Sequence, residues 1–246
     1  IFIGPYAGSG ASSSANNSNF FGYEAGYYSY ANNSNFFGQN SGEGAVSANN
    51  SNFFGHEAGS NASSANNSNF FGYLSGKSAT NAEQSNFFGT NAGYQASNAS
   101  YSNLLGYQSG MFYTGNNIGS NNIIIGTNIS LPDATANGIN LGGVLFGSGT
   151  YSTTTGNPSV SAVSTGKIGV GIVSPAYRLD VLLPNTGQTA TNRVANFANT
   201  GATFDTTSGA LSSYGGYFSS TSTRSTGSND LTNIGLYATA SGAQNN

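Results

Sequence analysis

Histidine is the side chain best suited to proton transfer near neutral pH, and this chain has a single one, His56. It occupies a slot of a repeat that elsewhere holds Tyr23, Gln39, Tyr73, Thr90 and Tyr107, which marks a surface position rather than a general base. Glu24 and Glu57 take the next slot, shared with Asn40, Leu74, Asn91 and Gln108. Paired carboxylates do acid–base work only in special environments. These two are separated by two repeats, about 10 Å at strand spacing.

Serine is abundant, but no Gly-x-Ser-x-Gly elbow comes with a histidine to activate it. Gly142-Gly143 and Gly169-Val170-Gly171 are glycine-rich, and Gly166-Lys167-Ile168 lacks the Ser or Thr of a phosphate-binding loop. The eight acidic residues are scattered rather than clustered as metal ligands. No catalytic residue, metal or cofactor is therefore expected. Arg178 and Asp180 lie two apart and share a strand face, which fits a structural ion pair between neighbouring chains. Asn-x-Ser triplets such as Asn32-Asn33-Ser34 match a glycosylation acceptor, but they read better as corners whose stacked amides form side-chain ladders. The tyrosines Tyr23, Tyr27, Tyr73 and Tyr107, with Tyr28 and Tyr30, are expected at coil edges, where they pack or stack on sugars.

Composition narrows the class further. Charged residues make up 5% of the chain, with a net charge of -3 and 36 glycines. Aromatics reach 13% and sit at fixed places, which argues for order. Without a Lys/Arg cluster there is no footprint for nucleic acid. There is no cysteine, and no apolar run approaches the roughly 20 residues of a membrane span. No membrane insertion is expected.

The element that positions these side chains is Asn32-Asn33-Ser34-Asn35-Phe36-Phe37-Gly38, repeated from Asn16, Asn49 and Asn66. Looser copies end in Phe87-Phe88-Gly89 and Leu104-Leu105-Gly106. The closing glycines Gly22, Gly38, Gly55, Gly72, Gly89 and Gly106 are 16 residues apart once and 17 thereafter. Each is followed by Gly-x-x-Ala/Ser-Gly, and Gly4 to Gly8 repeats that mark. The sequence thus opens inside a unit, as a fragment or processed product would. A unit this short suits one coil of an all-β solenoid, not a helical repeat of roughly 33 residues or more.

Ser-Asn-Phe-Phe is expected to form one strand, the glycines a turn, and Tyr94 to Ala99 a second strand. Side chains alternate across a strand. Only one of Phe36 and Phe37 can then enter the coil, and the other forms an exposed ladder with Phe20, Phe53, Phe70 and Phe87. The two phenylalanine columns, including Phe21, Phe54, Phe71 and Phe88 with Leu104 and Leu105, supply a core and an interchain seam. Ala45, Ala62, Ala79 and Ala96, with Ala48, Ala65, Ala82 and Ala99, fit the opposite wall.

The unit Asn-Ser-Asn-Phe-Phe-Gly-x-x-Ala-Gly-x-x-Ala-Ser-x-Ala resembles the head repeat of YadA-type trimeric autotransporter adhesins. Asn35, Asn52 and Asn69 stand where that family has Val, and Phe where it has Ala. The resemblance covers residues 1 to about 126 and implies a homotrimeric left-handed β-roll. Gly166 to Val181, with Pro175, Tyr177, Arg178, Leu179 and Asp180, resembles a segment of phage tail fibres and spikes and of large bacterial surface proteins that often precedes an endosialidase-type chaperone. No chaperone lies within these residues. Arg193 to Phe197, Tyr214 to Phe218 and Ile234 to Ala238 resemble strands of a β-prism shaft. The period implies a roll over 1–110, and its loosening a degenerate collar over 111–166, where Asn121 to Gly126 and Ile139 to Gly142 keep a loose copy of the unit; the resemblances imply a shaft over 167–246. They imply an extracellular fibre, on a virion tail or a cell surface, that attaches to a glycan or protein receptor. A phage tail-fibre shaft is the first expectation and a bacterial surface adhesin or filament the alternative.

Overall fold

The computed structural model describes residues 1–11, 15–111, 117–149 and 166–181. Its core is a stack of short strands joined laterally: β1 (Phe2–Ile3), β2 (Asn19–Phe21), β3 (Asn35–Phe37), β4 (Asn52–Phe54), β5 (Asn69–Phe71), β6 (Asn86–Phe88) and β7 (Asn103–Leu105). The stack continues through β8 (Ile123–Ile125) and β9 (Gly138–Leu141). Each pairs in parallel with the next and like residues meet, as in Phe36↔Phe53 and Asn52↔Asn69. The repeat is therefore one coil of a β-solenoid. The all-β class and the stacked coils agree with the expectation. Of the shaft expected over 167–246, residues 182–246 lie outside the described residues, and residues 167–170 and 179–181 form the last two strands of this same sheet.

The interior column differs from the one expected. Phe20, Phe36, Phe53, Phe70 and Phe87 do not form the exposed ladder; all are fully buried, and Leu104 and Ile124 extend them. The second glycine of Gly-x-x-Ala/Ser-Gly decides the matter. A Cβ on Gly59 would fall directly on the Phe53 ring, so that glycine is the slot into which the first phenylalanine fits. The alanine wall closes the far side as expected, with Ala45, Ala48, Ala62, Ala65, Ala79, Ala82, Ala96 and Ala99 at 0% exposure.

The expected second strand over Tyr94 to Ala99 is a correction as well. That side holds only isolated parallel bridges, Val46↔Ser63, Ser63↔Thr80, Thr80↔Ser97 and Ser97↔Asn117. Gln95 and Asn98 have φ of 56° and 53°, so left-handed corners leave only Ala96 and Ser97 between them. The slot shared by Glu24, Asn40, Glu57, Leu74, Asn91 and Gln108 is another such corner, with φ between 52° and 57°. Asparagine suits that conformation, whereas leucine bears its cost.

Buried serines hold the coils together. Ser51 Oγ donates to the Ala65 carbonyl at 2.6 Å and accepts the Ser68 N–H at 3.1 Å. Ser34, Ser68 and Ser85 do the same in their coils. Ser51→Ala strands a buried N–H and a carbonyl, which costs about 1–3 kcal/mol. A denaturation midpoint unchanged from the parent chain would show that these bonds contribute nothing.

The stack turns antiparallel at its far end. β10 (Leu145–Ser148) folds back on β9 through Gly142 and Gly143, β11 (Lys167–Val170) pairs antiparallel with β10, and β12 (Leu179–Val181) lies parallel to β11. All belong to one 12-stranded sheet.

Candidate functional site

With the first phenylalanine inside, residues on either side of it point outward and form two columns. The first is an amide ladder, in which Asn19 Nδ2 donates to Asn35 Oδ1 at 2.8 Å and Asn35 to Asn52 at 2.8 Å. It continues from Asn52 to Asn69, Asn86 and Asn103, each step at 2.9 Å. The second column is Phe21, Phe37, Phe54, Phe71 and Phe88, whose rings stack at 4.6 to 5.0 Å within 11° of parallel. Stacking hides part of each ring, so Phe21, Phe37, Phe54 and Phe71 are half-buried, while Phe88 is exposed.

Register carries both columns to the end of the sheet. The phenylalanine column passes through Leu105, Ile125, Leu141 and Leu145 to Val170 and Val181. The amide column becomes apolar after Asn103, continuing as Ile123, Ile139, Gly147, Ile168 and Leu179. Neither column contains a charged residue from Asn19 to Val181. The far end of the sheet, β8 to β12, forms a cap that also bears a cavity of about 420 Å³ beside Gly147, bordered by Ile139, Ile168, Lys167 and Arg178.

The tyrosines at the coil corner are less uniform. Tyr23, Tyr73 and Tyr107 are exposed in one slot, on separate coils. His56 stacks on Tyr73, with ring centroids 5.2 Å apart, so one Tyr73 face is turned along the stack. Tyr27 is half-buried and meets Tyr28 edge-on at 4.4 Å. A hydrogen bond to the Glu24 carboxylate raises the pKa of Tyr23 above the ordinary tyrosine value, and a bond to Tyr28 does the same for Tyr27.

Several charged groups are engaged locally. The Glu57 carboxylate pairs with Lys77, and His56 Nδ1 lies 3.7 Å from it. Asn40 Nδ2 donates to both Glu24 and Glu43 at 2.9 Å. No trio of His, Asp or Glu among the described residues is placed to hold a metal ion. No helix among them is long and apolar enough to cross a membrane.

The turn glycines do what the spacing implied. Gly22, Gly38, Gly55, Gly72, Gly89 and Gly106 all have φ between 126° and 138°, a region essentially reserved for glycine. The stacked amides expected in the corners are present, as where Asn49 Nδ2 donates to Asn66 Oδ1 at 3.1 Å, but sequence reasoning missed the second ladder carried by the strands. The signal was present: Asn at the second residue of each Ser-Asn-Phe-Phe points to the same face as the second phenylalanine. Comparison with protein-family models, curated proteins and solved structures yields no match.

Proposed function

We propose that this chain is a segment of an extracellular fibre that assembles through the outer face of its sheet with copies of itself and serves surface attachment. One observation carries the reading: a coil interior that is already complete, beside an uncharged apolar column that runs outward along the whole sheet. Twelve strands at a spacing of about 4.8 Å make that column about 50 Å long. Two side-chain columns of that length offer on the order of 600 Å² per copy, close to the ~800 Å² per partner of stable interfaces. An exposed apolar face of this extent is an interaction surface.

Three copies about the fibre axis, as left-handed β-rolls followed by a β-prism shaft, is the arrangement implied by the resemblance to YadA-type heads and tail fibres. The preferred setting is the shaft of a phage tail fibre or spike. A bacterial trimeric adhesin or extracellular filament is the alternative, favoured by the similarity of the coil repeat to adhesin heads. The receptor in either setting is a surface glycan or protein, and Tyr23, Tyr73 and Tyr107 offer exposed rings to it.

Native mass of the undenatured protein tests the reading. Three copies are expected, and a stable monomer would overturn self-assembly. Phe54→Asp places a charge in the outer column without entering the core. It is expected to reduce the assembly to monomers that keep the parent's β-sheet circular dichroism.

A further inference from the structure

We infer that the sheet face from Ile123 to Val181, rather than the phenylalanine array, sets the axial register in which a second copy docks, parallel and without offset. The inference rests on the self-assembly proposed above. Within the array every coil presents the same Asn and Phe pair outward, as in Asn52 with Phe54 and Asn69 with Phe71. A partner displaced by one coil makes identical contacts and loses only one coil of overlap. An array of identical rows thus supplies area but specifies register weakly.

The cap differs on each count. Both outward columns are apolar there, and Ile168 and Leu179 are 50% and 64% exposed, against the half-buried rings of the array. Their rows are unlike one another, because Gly147 leaves a gap between Ile139 and Ile168. Only an unlike sequence of rows distinguishes one offset from the next. Orientation follows from the same asymmetry. Antiparallel docking lays the amide ladder of one copy on Ile123, Ile139 and Leu179 of the other and desolvates amides for no new bond. Parallel docking sets apolar rows against apolar rows. The cap spans five strands, about 20 Å, too little area for a stable interface alone. It therefore selects the offset while the array contributes the remaining area.

The chain has no cysteine, so introduced thiols report cleanly. Chains carrying Asn52→Cys and Asn86→Cys are co-expressed and oxidised, and the disulfides are mapped by mass spectrometry. Residues 52 and 86 are two coils apart, about 10 Å along the stack, beyond the ~7 Å Cα separation a disulfide spans. Zero offset yields 52–52 and 86–86 bridges only, whereas a slip of one to three coils yields 52–86. The expected result is like bridges alone in the parent background and at least a tenfold rise in 52–86 bridges with Ile123→Asn and Ile139→Asn. Those replacements extend the amide ladder, and native mass shows that the assembly persists. Mixed bridges in the parent, or like bridges alone in the variant, overturn the register assignment while self-assembly stands. Failure of both parent proteins to bridge or associate overturns the assembly reading itself. Should the variant lose assembly altogether, Ile168→Ser is read in the same way, and like bridges alone in it count against the assignment.

Discussion

Phe53→Ala is expected to destabilise the solenoid by about 3–5 kcal/mol, the range for removing a buried aromatic ring from a packed core. The Phe53 ring lies between Phe36 and Phe70, with centroids 4.7 Å away on each side and interplanar angles of 4° and 3°. Both contacts vanish together, and the alanine wall cannot follow the retreating side chain because the coil backbone is tied to its neighbours on either side. Coils contact only adjacent coils, so loss of one central coil divides the array into two shorter cooperative units. Phe54→Ala, one residue on, leaves the interior intact and should cost the isolated chain well under half as much. Urea denaturation of chains kept monomeric by Phe88→Asp, in the same outer column, and carrying each change measures the difference. Equal losses for the two would mean that the interior ring contributes no more than the exterior one, and a larger loss for Phe54→Ala would mean that the two columns have been exchanged.

The sequence made the coil legible because its period is strict and its aromatics are paired. Alternation along a strand placed Phe36 and Phe37 on opposite faces, but it could not say which face was inside. That choice depends on a contact between residues six apart, the Phe53 ring over Gly59, and no periodicity argument contains it. The wall opposite the strand was read correctly from its alanines and wrongly as a strand. Its extended stretch is too short because Gln95 and Asn98 turn left-handed. Nothing in the mix of Glu, Asn, Leu and Gln in one slot pointed to a backbone constraint. The position is half-buried, and its backbone is held at positive φ in each of these coils. The continuation of the stack through Ile123 and Ile139 was visible as a degenerate repeat. The pairing of Leu104 with Ile124 shows the register surviving where the spacing lengthens from 17 residues to 20. The outward apolar face was half legible. The second phenylalanine announced an apolar column, whereas the change from Asn103 to Ile123 in the neighbouring column emerges only once the strands are aligned.

Gly55→Ala should be the most disruptive change of a single methyl group, costing about 3 kcal/mol or more. Gly55 has φ of 138°, and side chains held in sparsely populated backbone regions cost about 1–3 kcal/mol each. The added Cβ also falls directly on the carbonyl group of Gly72 in the next coil. That obstacle is backbone rather than a movable side chain, and Gly72 in turn abuts Gly89, so relief by displacement passes along the whole stack. Gly142→Ala is the matched comparison. It sits at φ of 64° in the β9–β10 turn with nothing within 4 Å of its added methyl, so it bears only the left-handed strain, about 1–2 kcal/mol. Hydrogen exchange distinguishes the two mechanisms. The Gly55 variant should lose protection at Gly55 and Gly72, whose N–H groups bond to Phe37 and Phe54 at 2.8 Å, while the Gly142 variant leaves both unchanged. Comparable losses in the two variants would mean that backbone conformation alone, and not the close approach of successive coils, makes glycine necessary at this corner.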